Sequence, residues 1–155
     1  MMLLIVFQLD GHLYGLEGAP AERIIPLVAL RPAPHAPEYV RGIFNLRGRV
    51  VPVIDMCRLI AGHPAREVMS TRIIVVSFPC ADHRTRLLGL MAESVLEVRA
   101  VDPERLEEPV LRTSGAPYLG PVIKEPAGLI QIVELPHLIP EKVQRTLFTA
   151  GGETQ

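Results

Sequence analysis

The chemistry open to this chain is concentrated in one stretch, Gly42-Ile43-Phe44-Asn45-Leu46-Arg47-Gly48-Arg49-Val50-Val51-Pro52-Val53-Ile54-Asp55. No side chain in it is an ordinary nucleophile, a general base or part of a metal-ligand set. Its distinctive group is Arg47, a permanent charge between two apolar runs, whose planar fork suits a partner's carboxylate or backbone carbonyls. Asn45 and Gly48 are residue types that tolerate turn geometry, and Gly48 takes φ > 0 at little cost. A solvated arginine at a hairpin tip is the plain alternative for Arg47. Asp55 reads either as a catalytic carboxylate or as an N-cap. Its place directly before Met56-Cys57-Arg58-Leu59-Ile60 favours the cap.

The other reactive groups do not assemble into a motif. Cys57 and Cys80 are the only cysteines among 155 residues, outside any Cys-x-x-Cys pair. Two residues separate Cys80 from His83 and five separate Cys57 from His63, whereas His12, His35 and His137 are isolated. Zinc sites normally carry two close pairs at finger or ribbon spacing, so no metal is expected. Ser70, Ser77, Ser94 and Ser114 lie outside any Gly-x-Ser-x-Gly elbow. Gly42 to Gly48 lacks the Lys-Ser/Thr ending of a phosphate loop, and there is no Gly-x-Gly-x-x-Gly. Asp102, Glu104, Glu107 and Glu108 read as a solvated acidic face. Neither catalysis nor a cofactor is expected, with a small enzyme bearing an unrecognised site left as the remote alternative.

The elements that must hold Arg47 are short strands. Fifteen prolines and twelve glycines punctuate the apolar runs, which favours strands and turns over long helices. Leu3 to Leu9 and His12 to Leu16 flank Asp10-Gly11, the strongest hairpin signal in the chain. Arg23 to Leu30 is a further strand candidate, and Glu38 to Arg41 a single helical turn. Asp55 begins a short helix ending at Gly62. Arg72 to Phe78, Arg86 to Met91, Val95 to Val101, Leu119 to Ile123 and Leu129 to Val133 form a second set of strands. Pro140 suits the first position of a terminal helix reaching about Phe148. The fold class is mainly β.

The two halves repeat loosely. Gly15-Leu16 precedes Ile24 as Gly89-Leu90 precedes Val98, and Pro37-Glu38-Tyr39 answers Pro117-Tyr118. Asp55 and Glu134 then stand at corresponding places. Repeat halves of about 1–68 and 70–148 within a single domain, with 149–155 a flexible tail, fit this pattern. A hydrophobic share of 48% and a charged share of 21% suit a folded soluble protein. A net charge of −1 offers neither nucleic acid nor an anionic membrane a basic field. Two ordinary thiols suit a reducing cytoplasm, and Met1 to Phe7 is too short to span a membrane.

Asn45-Leu46-Arg47-Gly48 followed by Val51-Pro52-Val53-Ile54-Asp55 resembles the signature of the CheW-like domain. Val6-Phe7-Gln8-Leu9, Tyr14-Gly15-Leu16 and Pro37 continue the likeness to about Leu147. The resemblance implies two SH3-like five-stranded β-barrel subdomains packed together and exchanging end strands, with short helices and a C-terminal helix. It implies a non-catalytic adaptor joining the cytoplasmic tip of a chemoreceptor to a CheA-type histidine kinase, cytoplasmic and recruited to receptor arrays. It places Arg47, Gly42 and, by spacing from Tyr14-Gly15, Ala21 on the receptor-binding surface. The kinase-binding residues are left unassigned. Gly115 to Val122 and Gly128 to Gln131 look more like adaptors of Wsp-type surface-sensing pathways, whose output is cyclic di-GMP. The length fits a stand-alone adaptor, and a generic SH3-like peptide-binding module is the alternative.

Overall fold

The computed structural model describes residues 1–109, 111, 113–126 and 128–150. Ten strands run β1 (Met2–Leu9), β2 (His12–Glu17), β3 (Ala21–Pro26), β4 (Val40–Leu46), β5 (Arg49–Asp55), β6 (Arg72–Pro79), β7 (Thr85–Ala92), β8 (Ser94–Val101), β9 (Leu119–Glu125) and β10 (Gly128–Val133). The helices are α1 (Met56–Ala61) and α2 (Glu141–Ala150), with 3-10 turns at Pro103–Arg105 and Leu135–His137. The mainly β fold class read from the sequence is borne out.

The strands form two five-stranded sheets of identical plan, β8-β1-β2-β10-β9 and β3-β6-β7-β5-β4. Each contains a single parallel junction, β10 with β2 and β5 with β7. Each is closed by a bridge beyond its edge strand. Arg31, downstream of β3, exchanges backbone hydrogen bonds of 2.8 Å with Ile43 of β4. Glu107, downstream of β8, pairs in the same way with Val122 of β9. The result is two small SH3-like barrels. Gly15 and Gly89 sit at matching crowded places, where a Cβ would come within 2.9 Å of Leu4 and Ile73 respectively.

One large apolar cluster runs across both barrels, joining Phe7, Leu9 and Leu16 to Ile54, Ile73, Phe78, Leu88 and Met91. A smaller one, with Leu4, Val6, Ile123 and Ile130, fills the interior of the first barrel. Each such side chain taken fully from water contributes roughly 1.5–3 kcal/mol. Helix α2 joins the large cluster through Leu147 and Phe148, the latter stacked on Phe78 at 6.1 Å. Buried Gln144 anchors it, accepting from Ala81 N and donating to the Ile139 carbonyl, each at 2.8 Å.

Three local expectations are corrected, and the expected acidic turn gains detail. Val40 and Arg41 belong to β4, because the preceding turn closes at Val40 N to the Pro37 carbonyl and pairing with β5 takes over. Strand β3 stops at Pro26, which has no N–H to continue a ladder. The acidic loop contains a 3-10 turn capped by Asp102, whose Oδ1 accepts from Glu104 N at 2.9 Å. Pro140 precedes α2, its carbonyl accepting from Gln144 N. The helix runs on to Ala150, and the tail expected from 149 otherwise lies outside the described residues.

Candidate functional site

The β4–β5 hairpin reaches its last pair at Leu46 and Arg49, so Arg47 and Gly48 alone make the loop. Their φ values of 52° and 88° are the double left-handed pattern of a type I′ turn. Asn45, read as a turn-shaping residue, is the last but one residue of β4. Its Oδ1 accepts from Gly48 N at 2.7 Å and locks the turn. Gly48 is required for its φ, since a Cβ there would meet nothing within 4 Å. Arg47 carries a strain of roughly 1–2 kcal/mol as a side-chain-bearing residue in the left-handed region. In exchange its Cα–Cβ direction is fixed on a tight turn. Arg47 is exposed and makes no ion pair among the described residues. Arg41, Arg58, Arg66, Arg86, Arg99 and Arg105, by contrast, all have acidic partners.

Gly42 is buried, with φ 152°, at an irregularity in β4 where a Cβ would stand 2.5 Å from the Arg31 carbonyl oxygen. Its part in this face is therefore shape: only glycine lets the 31 segment close the barrel there. Ala21, half-buried at the start of β3, pairs with Val76 on the same sheet. The structure thus brings Ala21, Gly42 and Arg47 onto one barrel.

At the open end of the hairpin, away from the turn, lies a polar centre of which the order of residues showed only the Asp55 cap. Asp55, 1% exposed, caps α1 by accepting from Cys57 N and Arg58 N through Oδ1, at 3.0 and 3.1 Å. Its Oδ2 accepts from Arg41 Nη1 at 2.5 Å and Ala65 N at 2.9 Å. Arg41 also donates to Glu67 at 2.6 Å. Glu134 stands at the matching place of the other barrel but makes no side-chain cap, and its carboxylate fills the space beside Gly120. Backbone geometry still agrees: Asp55 N donates to the Tyr39 carbonyl and Glu134 N to that of Tyr118, at 2.7 and 2.6 Å.

A second cluster joins the barrels. Asp10, at the β1–β2 turn with φ 50°, accepts from His63 Nε2 at 2.8 and 2.9 Å. His63 Nδ1 lies 3.4 Å from Cys57 Sγ and 3.3 Å from the Pro64 carbonyl. The side-chain types match a nucleophilic triad, but Cys57 is fully buried. Burial, with help from Glu93, Asp55 and Asp10, pushes its thiol up to about 11. A buried thiol held protonated is not a nucleophile. Sequence spacing had paired Cys57 with His63 without finding the third member, which is 53 residues from His63.

Residues 3–143 match the CheW-like domain family. The Chemotaxis protein CheW of Treponema pallidum is 28% identical over 141 residues, covering 90% of this chain and 82% of that protein. That of Rhizobium meliloti is 29% identical over 104 residues, 67% of this chain and 64% of the relative. Among solved structures, the scaffolding protein TtCheW of Thermoanaerobacter tengcongensis superposes with a TM-score of 0.77 at 28% identity, over 90% of this chain and 88% of that one. Two closed five-stranded barrels, the Asn-Leu-Arg-Gly turn and a match over nearly the whole length agree: the chain belongs to the CheW-like domain family, whose members are non-catalytic scaffolds.

Proposed function

We propose that this chain is an adaptor that couples the cytoplasmic tip of a chemoreceptor to a CheA-type histidine kinase, working in the cytoplasm at receptor arrays. The observation that carries the reading is Arg47, an exposed guanidinium without an ion pair, mounted on a locked two-residue turn. A side chain mounted on rigid backbone loses less freedom on binding than one on a mobile loop. Arg47 makes the polar contact to the receptor, Ala21 provides a small neighbouring surface, and Gly42 sets the shape of the β4 edge. Exposed Leu3, Leu96 and Val98 on β1 and β8 give the first barrel an apolar surface separate from the Arg47 turn. This supports the two faces a scaffold needs. The chain acts as one domain over 1–148, because both barrels share one core. The sequence of 115–122 and 128–131 favours a Wsp-type surface-sensing pathway with cyclic di-GMP output as the setting.

The test is Arg47→Glu, measured for retention on membranes bearing the receptor and separately for kinase binding. Reversing the charge should remove on the order of 2–5 kcal/mol of receptor affinity, with kinase binding and melting temperature unchanged. Retained receptor binding would remove Arg47 from the site.

A further inference from the structure

We propose that Asp10, His63 and Cys57 form a zinc-binding clamp that ties the two barrels together, with water completing a four-coordinate site. The donor atoms of these residues all lie within 4.8 Å of one another. They present a carboxylate oxygen, an imidazole nitrogen and a thiol sulfur, the mixed oxygen, nitrogen and sulfur set that zinc accepts and that magnesium and calcium do not. Three protein ligands with one open position is a recognised zinc arrangement.

The geometry assigns each atom a part. Nδ1 of His63 faces the Pro64 carbonyl at 3.3 Å, so as a donor there it leaves the Nε2 lone pair for the cation. Nε2 is 2.8 Å from Asp10 Oδ1 and 3.8 Å from Cys57 Sγ. In the metal-free site the Nε2 proton faces Asp10; when the cation binds, the neutral imidazole carries that proton on Nδ1 instead and the thiol proton leaves to solvent, one proton per zinc. Binding requires the exposed His63 and Asp10 side chains to reorient about Cys57 until each ligand lies about 2.0–2.3 Å from the cation.

The placement of the donors is built in by the backbone. Asp10 is held at the left-handed first position of the Asp10-Gly11 turn. Cys57 is the second residue of α1, and His63 follows the left-handed Gly62 that ends the same helix. Asp10 belongs to the first barrel, Cys57 and His63 to the connection leaving the second. Occupancy would therefore fix the barrels relative to each other. Cys80 and His83, the closer pair in sequence, form no such group with an acid or a third donor among the described residues.

Chelator-treated full chain should be titrated with zinc, by native mass spectrometry and thermal melting, and with cobalt(II), by absorbance. The expected results are one zinc per chain, a rise in melting temperature and a cobalt–thiolate charge-transfer band. Asp10→Asn and His63→Gln alter exposed side chains and should each weaken binding by about 10–100-fold or more. Cys57→Ser should abolish the thiolate band, and Cys80→Ser should leave it intact. If Cys57→Ser fails to fold, the two exposed variants still decide the matter. No thiolate band, stoichiometry well below one, or affinity indifferent to Asp10→Asn and His63→Gln would overturn the site.

Discussion

At the residue scale the β4–β5 turn separates two jobs that one arginine performs. Arg47 supplies charge, and it tolerates a left-handed backbone better suited to asparagine. Arg47→Asn should therefore leave stability unchanged or raise it by up to about 1 kcal/mol, while weakening receptor binding like the charge reversal. Paired melting and binding measurements check this. Asp55 sits at the other extreme. It is buried and accepts from Arg41 and from three backbone N–H groups. Asp55→Ala strands these donors and should cost on the order of 3–5 kcal/mol. In a chain of this size, that is roughly 6–20 °C in melting temperature by calorimetry. The cap at Asp55 was legible because it needs only the six residues that follow it. Its partner Arg41 was not, since the order of residues put Arg41 in a helical turn and the ion pair exists only once β4 lies beside β5.

At the scale of elements, each barrel depends on how its edges are closed. In the second barrel Gly42 makes room for the Arg31 bridge. Gly42→Ala would drive a methyl into a backbone carbonyl and should destabilise strongly. Gly48→Ala meets open space and should cost only the backbone penalty of about 1–2 kcal/mol. Chemical denaturation of the two variants compares them directly. In the first barrel the closure is partly ionic. Glu125 of β9 accepts from Arg99 of β8 and from Arg105, at 2.8 and 2.7 Å. The Arg99 and Arg105 guanidinium groups hold its carboxyl below the usual glutamate range. A depressed folded-state value means that this contribution is present above the ordinary carboxylate value and is lost as pH falls through the folded one. Glu125→Gln should therefore flatten the acid limb of stability against pH, measured by urea unfolding across acid and neutral pH.

At the scale of the whole molecule, the fold class and the Asp10-Gly11 and Arg47-Gly48 hairpins were open to reading, because alternation, turn residues and short apolar runs are local signals. Closure of the barrels was not. The Arg31–Ile43 and Glu107–Val122 bridges involve residues with no strand pattern around them. The Asp10–His63 contact joins residues 53 apart, which spacing cannot reveal. β1 and β2 pair with β8 and β10, so a chain ending at residue 68 lacks three of the five strands of its first barrel. Such a fragment should show no cooperative unfolding transition by circular dichroism, whereas 1–155 should unfold in one step. The adaptor reading itself rests on simultaneous engagement of two partners, which multiplies weak contacts into firm assembly. The most direct measurement is sedimentation of receptor-bearing membranes with purified kinase, with and without this chain. The account predicts that kinase pellets only when the chain is present and that Arg47→Glu leaves it in the supernatant. Kinase pelleting equally well without the chain, or an Arg47→Glu variant that recruits it fully, would contradict the account.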